Sequence, residues 1–142
     1  MSNFPVHTLE SAPANSKPLL EASVANFGFL PNLHAVMSES PELLEAYKAL
    51  SGLFSKTSFN NTERTVVWQT INVENGCHYC VPAHTAIANM QKVDAKITES
   101  LRNSTPLEDA RLEALRAFTL KVVRQHGNVA DEDVATLSLI HI

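Results

Sequence analysis

With 142 residues and a net charge of −4, the chain has the size of one domain, and its scattered charges form no basic patch for nucleic acid or an anionic membrane surface. An apolar content of 44% excludes a disordered chain and supports a core that buries roughly 70% of the unfolded surface. The apolar runs fall far short of the ~20 residues that span a bilayer, and the opening MSNFPVHTLE has neither a charged n-region nor an apolar h-region, so no secretory signal or membrane is expected and the compartment is expected to be the cytoplasm.

Helical spacing recurs along the chain, and no stretch alternates apolar and polar residues as a half-buried strand would. The first helix is expected over Lys17–Phe27, broken by Gly28 and Pro31, with a short one over Asn32–Glu39. Ser40 then reads as an N-cap with Pro41 at the first helical position. Leu43, Leu44, Tyr47, Leu50 and Phe54 should line the buried side of that helix. Asn60 and Glu63 have capping-box spacing for the next, in which Val66, Thr70 and Val73 form one stripe and Val67 and Ile71 another. Asn75-Gly76 stops it.

A helix over about Cys80–Gln91 and a short one over Asp94–Arg102 follow. The next reads as capped by Thr105, with Pro106 first, Glu108 closing a capping box and Gly127 ending it. Leu112, Leu115, Phe118 and Val122 mark its buried face. A last helix starts near Asn128 and runs into the apolar ending ATLSLIHI. That uncapped ending reads as a truncated or altered form of a longer sequence, or else as a segment packed on another subunit. The expectation is one compact all-α domain, 1–142, of seven or so helices.

The chemistry concentrates in ENGCHYCVPAH, residues 74–84, which holds both cysteines. A close pair in a cytosolic chain is more often redox-active, catalytic or metal-binding than a structural staple. Pro82 is tolerated only in the first turn of a helix, so the regular helix should begin near Tyr79 or Cys80. Cys77 then lies at the entry turn, Cys80 in the first turn, and His84 one turn further on the same face. Free N–H groups and the helix dipole favour thiolate there, and an imidazole one turn away can take the thiol proton. A second thiol nearby can capture a sulfenic acid as a disulfide.

Two other readings stand beside this one. The cysteines can be small buried hydrophobes next to a core histidine. They can also join His84 in a zinc site, whose fourth ligand would come from His78, His34, His126 or a carboxylate. A thioredoxin-type unit would set its Cys-x-x-Cys after a strand, whereas a helix precedes this pair.

The run N-G-C-x-Y-C-x-x-x-H, carried by Asn75, Gly76, Cys77, Tyr79, Cys80 and His84 and continued by AHTAIA, resembles the AhpD-like alkylhydroperoxidase and carboxymuconolactone decarboxylase superfamily. FLPNLH, SPELLEAY and LEDARLEALRAFTLKVV extend the resemblance over nearly the whole chain. It implies the AhpD-like helical fold and the thiol branch, since the decarboxylase branch lacks the cysteine pair. It further implies that Cys80 attacks a hydroperoxide, Cys77 resolves the sulfenic acid as a disulfide, and His84 belongs to a proton relay. On this reading no metal or organic cofactor is needed, an external dithiol or lipoyl-type donor re-reduces the pair, and the protein is a homo-oligomer, a trimer or hexamer.

The chain departs from that pattern in two ways. The resemblance implies a relay glutamate twelve residues before the first cysteine, where this chain has Thr65, which cannot act as a base. Glu74 is the expected substitute, with Glu63 and Gln69 as further candidates; their structural readings are a helix-end acid, a capping-box partner and a surface residue. Relatives also carry further helices beyond GNVADEDVATL. The alternative function is a zinc-binding or non-catalytic oligomeric protein. Trp68 reads as a core or interface aromatic, and His78 as either tuning the thiols or facing solvent. Tyr79 reads as lining the pocket or packing. His7, His34, His126 and His141 have no partner visible in sequence.

Overall fold

The computed structural model describes the backbone of residues 4–141 and the side chains of 4–138. Among the described residues, all regular structure is helical: one 3₁₀ turn and eight α-helices. They are α1 (Lys17–Phe27), α2 (Asn32–Met37), α3 (Pro41–Ser55), α4 (Asn61–Glu74), α5 (Cys80–Met90), α6 (Ala95–Arg102), α7 (Ala110–Arg124) and α8 (Asp131–His141). No helix among these residues is long and apolar enough to cross a membrane. The final residues of the apolar ending lie outside the described side chains. Contacts divide the chain into two compact units between Thr57 and Ser58.

The first unit holds α1 to α3 around Ala12, Leu20 and Leu44, with Leu9, Leu19, Leu30 and Met37 packed on them. Ser40 caps α3 as expected, accepting from the Leu43 N–H at 3.4 Å, and Pro41 opens the helix. The buried side of α3 differs from the expected stripe. Leu44 is fully buried, but Leu43 and Leu50 are more than half exposed. The reason lies one turn beyond Leu44, where the Lys48 Nζ donates to the Leu19 carbonyl at 2.7 Å and to Ser23 Oγ at 3.1 Å on α1. Those bonds turn the Leu44–Lys48 side of α3 to its neighbour and leave the Leu43–Leu50 side in solvent. His34, which shows no partner in sequence, is buried with Nδ1 2.9 Å from Ser23 Oγ. Burial, and secondarily the Lys48 charge, lower its pKa.

The second unit is organised about α4, which packs against α5, α6 and α7, while α8 lies on α7. Val66, Leu101, Leu107, Leu115 and Leu137 form its core, flanked by Phe59, Val67, Ile97, Leu112 and Phe118. The α4 capping box is present in full: Asn60 Oδ1 accepts from the Glu63 N–H, and the Glu63 carboxylate accepts from the Asn60 N–H. Glu63 also pairs with Arg111 of α7 at 3.0 Å. Because helices cover several sides of α4, its buried residues include Glu63, Thr65, Gln69, Thr70 and Asn72 as well as Val66. Gln69, which the sequence leaves as either a relay candidate or a surface residue, is fully buried.

The start of α7 corrects a second expectation. Its cap is Asp109, whose carboxylate accepts from the N–H groups of Arg111 and Leu112, both at 2.9 Å. Thr105 instead turns its hydroxyl back to the Ser100 carbonyl. Leu107 is buried in the core, and its N–H donates to Glu113 at 2.8 Å, so the chain cannot be helical before it has delivered that side chain. A charged acceptor at the later position then also meets the helix dipole favourably. Asp109→Ala is therefore expected to cost about 1 kcal/mol in urea unfolding, and Thr105→Ala no more than about 0.5 kcal/mol. The reverse ranking would contradict this placement of the cap.

Candidate functional site

The two cysteines flank the turn that joins α4 to α5. The end of α4 is closed by Gly76 in the left-handed region, at φ +60°. The Gly76 N–H donates to the Val73 carbonyl and the Cys77 N–H reaches back to the Asn72 carbonyl, both at 3.0 Å. These are the two bonds of a Schellman motif, which needs a residue that tolerates positive φ at its centre. Asn75-Gly76 therefore does more than stop α4, since it fixes the backbone of Cys77. On the other side, the Cys77 carbonyl accepts from the Val81 N–H at 3.1 Å, and α5 begins at Cys80.

Cys77 and Cys80 form a disulfide, with Cα atoms 5.3 Å apart. The Cys80 N–H points at Cys77 Sγ at 3.1 Å. In the dithiol form this donor, freed by the start of the helix, would favour a thiolate on Cys77. Cys80 occupies the first residue of α5, where the helix dipole acts on its sulfur as well. Both cysteines are partly exposed, while His78 and Tyr79 between them face solvent.

His84 follows Cys80 by four residues and so shares its face of α5. Its ring lies against Trp68 of α4, centroids 5.2 Å apart and planes tilted by 32°. Burial lowers its pKa below the ordinary 6.5, so the ring is neutral at pH 7 and able to accept a proton. Trp68 is the chain's single tryptophan and reports on that ring directly. A pH titration of its fluorescence should have its His84 midpoint below 6.5, and a midpoint at or above 6.5 would contradict the burial account. The linkage has a definite sign. The unfolded chain takes up this proton first as pH falls through 6.5, so His84 withdraws stability from there down to its folded-state pKa.

The carboxylates lie elsewhere. Glu74, the last residue of α4, is gripped by Arg124 of α7, with oxygen–nitrogen distances of 2.6 and 2.9 Å. That hydrogen-bonded arginine lowers the Glu74 pKa, which makes it a weak proton acceptor at neutral pH. Glu63 is engaged by Asn60 and Arg111 at the opposite end of α4, about 16 Å along the helix from Glu74. Thr65 is buried and donates its hydroxyl to the Asn61 carbonyl. Among the described residues, no three His, Cys, Asp or Glu side chains gather as a metal site would require.

A buried polar network sits between α4 and α5, unrecognised in the sequence. Gln69 Nε2 donates to the Val81 carbonyl at 3.1 Å and to Thr85 Oγ1 at 2.9 Å, and its Oε1 accepts from Asn72 Nδ2 at 3.1 Å. The signal that could have shown it is the polar stripe Thr65, Gln69, Asn72 at i, i+4, i+7, a helix face with no reason to be polar unless it meets a polar neighbour. Trp68, read in sequence as a core or interface aromatic, is half-buried and packs on the His84 ring.

The arrangement of helices is found in known structures. An uncharacterized peroxidase-related protein from Ralstonia eutropha JMP134, an alkylhydroperoxidase AhpD core, superposes with a TM-score of 0.84 over 99% of this chain and 76% of its own, at 22% identity. The chain has the AhpD-like fold. An uncharacterized peroxidase-related protein from Silicibacter sp. TM1040 gives a TM-score of 0.80 over 99% of this chain and 75% of its own, again at 22% identity. In this AhpD-like fold the turn between α4 and α5 carries the Cys77–Cys80 disulfide. No family model matches the chain. It is also 32% identical over 83 residues, 54% of its length, to the mitochondrial acyl-coenzyme A synthetase ACSM2 of Rattus norvegicus, of which it spans 14%.

Proposed function

We propose that the protein is a thiol peroxidase that couples hydroperoxide reduction to oxidation of an external dithiol. One observation carries this reading: the Cys77–Cys80 disulfide at the start of α5, with the His84 imidazole one turn along the same helix. The fold shared with peroxidase-related proteins supports it.

The Cys80 thiol gives its proton to His84, and the thiolate attacks the distal oxygen of the hydroperoxide. The S–O bond forms as the O–O bond breaks, leaving Cys80 sulfenic acid, and the alkoxide takes the proton from His84 to leave as an alcohol. The Cys77 thiol then gives its proton to the freed His84, and its thiolate, steadied by the Cys80 N–H, attacks the Cys80 sulfur; the S–S bond forms as the S–O bond breaks, and the hydroxide takes that proton from His84 and leaves as water. The resulting Cys77–Cys80 disulfide is the form present in the structure. An external dithiol then returns two electrons and two protons by exchange through a mixed disulfide. Its thiol chemistry belongs in a compartment that keeps such donors reduced, such as the cytoplasm. Glu74, held as a carboxylate by Arg124, acts as an anchor for the end of α4 rather than as the proton carrier.

The test is steady-state turnover of an organic hydroperoxide with dihydrolipoamide as donor. Catalytic consumption at one dithiol oxidised per peroxide is expected. Consumption no faster than in protein-free buffer, with the thiols verified as reduced, would overturn the proposal.

A further inference from the structure

We propose that Gln69 is the positioning residue of the cysteine turn, and that its side chain sets how strongly the disulfide is favoured over the dithiol. The inference rests on the reading that Cys77 and Cys80 cycle between those two states. It concerns the thermodynamics of that cycle rather than the peroxide step.

Gln69 joins the two backbone anchors of the turn. Its Oε1 holds the Asn72 amide, and the Asn72 main-chain carbonyl in turn holds the Cys77 N–H. Its Nε2 holds the carbonyl of Val81, the residue after Cys80, and the hydroxyl of Thr85, which itself donates to the same carbonyl at 2.8 Å. One fully buried amide thus fixes the strand of backbone entering Cys77 relative to the helical turn that carries Cys80. Both of its N–H groups are satisfied, and its oxygen is engaged as well.

Closing a disulfide requires the two thiols to be held at bonding distance, and an unordered turn loses backbone freedom when it closes. A turn already ordered in the dithiol form has lost that freedom beforehand, which raises the effective concentration of one thiol at the other. An apolar side chain at position 69 would also leave the Asn72 amide without its buried acceptor, with a penalty relieved only if the local structure loosens. Both effects act in one direction. Loss of the amide should favour the dithiol.

The experiment equilibrates the full chain with dithiothreitol redox buffers, with no peroxide present, and reads the dithiol fraction by mass after alkylation. Gln69→Leu is expected to shift the equilibrium about tenfold toward the dithiol, about 30 mV for a two-electron couple. Gln69→Glu provides the rescue that a purely space-filling role would not show. Protonated, its carboxyl can donate to Val81 and accept from Asn72 as the amide does; ionised, it cannot donate. Its equilibrium should approach that of the parent at low pH and that of Gln69→Leu at high pH, beyond the pH dependence of the parent pair. An unchanged equilibrium in Gln69→Leu, or a shift in Gln69→Glu that is the same at all pH, would overturn the proposal. Should Gln69→Leu fail to fold, Asn72→Ala removes one arm of the same network, with a shift in the same direction expected and none contradicting the idea. Because no peroxide enters, a null result here leaves the peroxidase reading intact. An inactive peroxidase with a Gln69-dependent equilibrium would refute only that reading.

Discussion

Cys80→Ser is expected to abolish hydroperoxide turnover while leaving Cys77 reactive toward alkylating agents. The two outcomes separate because the cysteines owe their reactivity to different groups. Cys77 faces the main-chain N–H of residue 80, which a serine retains. Cys80 carries the sulfur on the same helix face as His84, and the serine hydroxyl is far too weak an acid and nucleophile to replace it. Cys77→Ser should behave in the opposite manner. Peroxide still oxidises Cys80, but nothing within the chain resolves the product, so a sulfenic acid accumulates that dimedone traps. Replacing His84 by Asn removes the proton acceptor and should slow the oxidation step by about 10²–10⁴-fold at neutral pH. If both single cysteine variants kept full turnover, the assignment of roles would be wrong.

Leu115→Ala should produce the largest loss of stability in the second unit. Leu115 is 2% exposed and lies in the cluster with Val66, Leu101, Leu107 and Leu137, contributed by four different segments. Truncating a leucine in such a setting removes its transfer energy and leaves a cavity that the surrounding helices fill only in part, a cost of about 2–5 kcal/mol. Leu50→Ala is the matched control. It removes the same atoms from a side chain that is 68% exposed, and should stay within about 0.5 kcal/mol. Urea unfolding checks both, with a displaced midpoint and an unchanged slope expected for Leu115→Ala. A cost below about 1 kcal/mol at Leu115, or an equal cost at Leu50, would contradict the packing described here.

Much of this architecture was legible before the structure because its determinants are local. Ser40-Pro41, the Asn60–Glu63 capping box and the Asn75-Gly76 stop each depend on residues within one turn, and all three act as expected. The same holds for α5, whose start at Cys80 follows from Pro82. What was not legible depends on partners distant in sequence. Asp109 caps α7 in place of Thr105 because Leu107 must first reach the core. Leu43 and Leu50 face solvent because Lys48 finds acceptors on α1. At the site, spacing located the cysteines and His84 on one helix start, and the resemblance supplied their roles. Spacing could not show that Arg124, fifty residues away, holds Glu74, or that Gln69 is buried beneath the turn. Thr65 cannot act as a base on its chemistry alone, and its hydroxyl is bonded to its own helix backbone.

The central claim is that Cys77 and Cys80 are the two electron donors for peroxide. A single-turnover reaction tests it most directly. Fully reduced protein is mixed with one equivalent of cumene hydroperoxide, and disulfide and alcohol are quantified on the same sample. One Cys77–Cys80 disulfide formed per alcohol released, faster than with a small-molecule thiol of ordinary pKa, is the predicted result. Peroxide left intact while both thiols remain alkylatable would contradict the account.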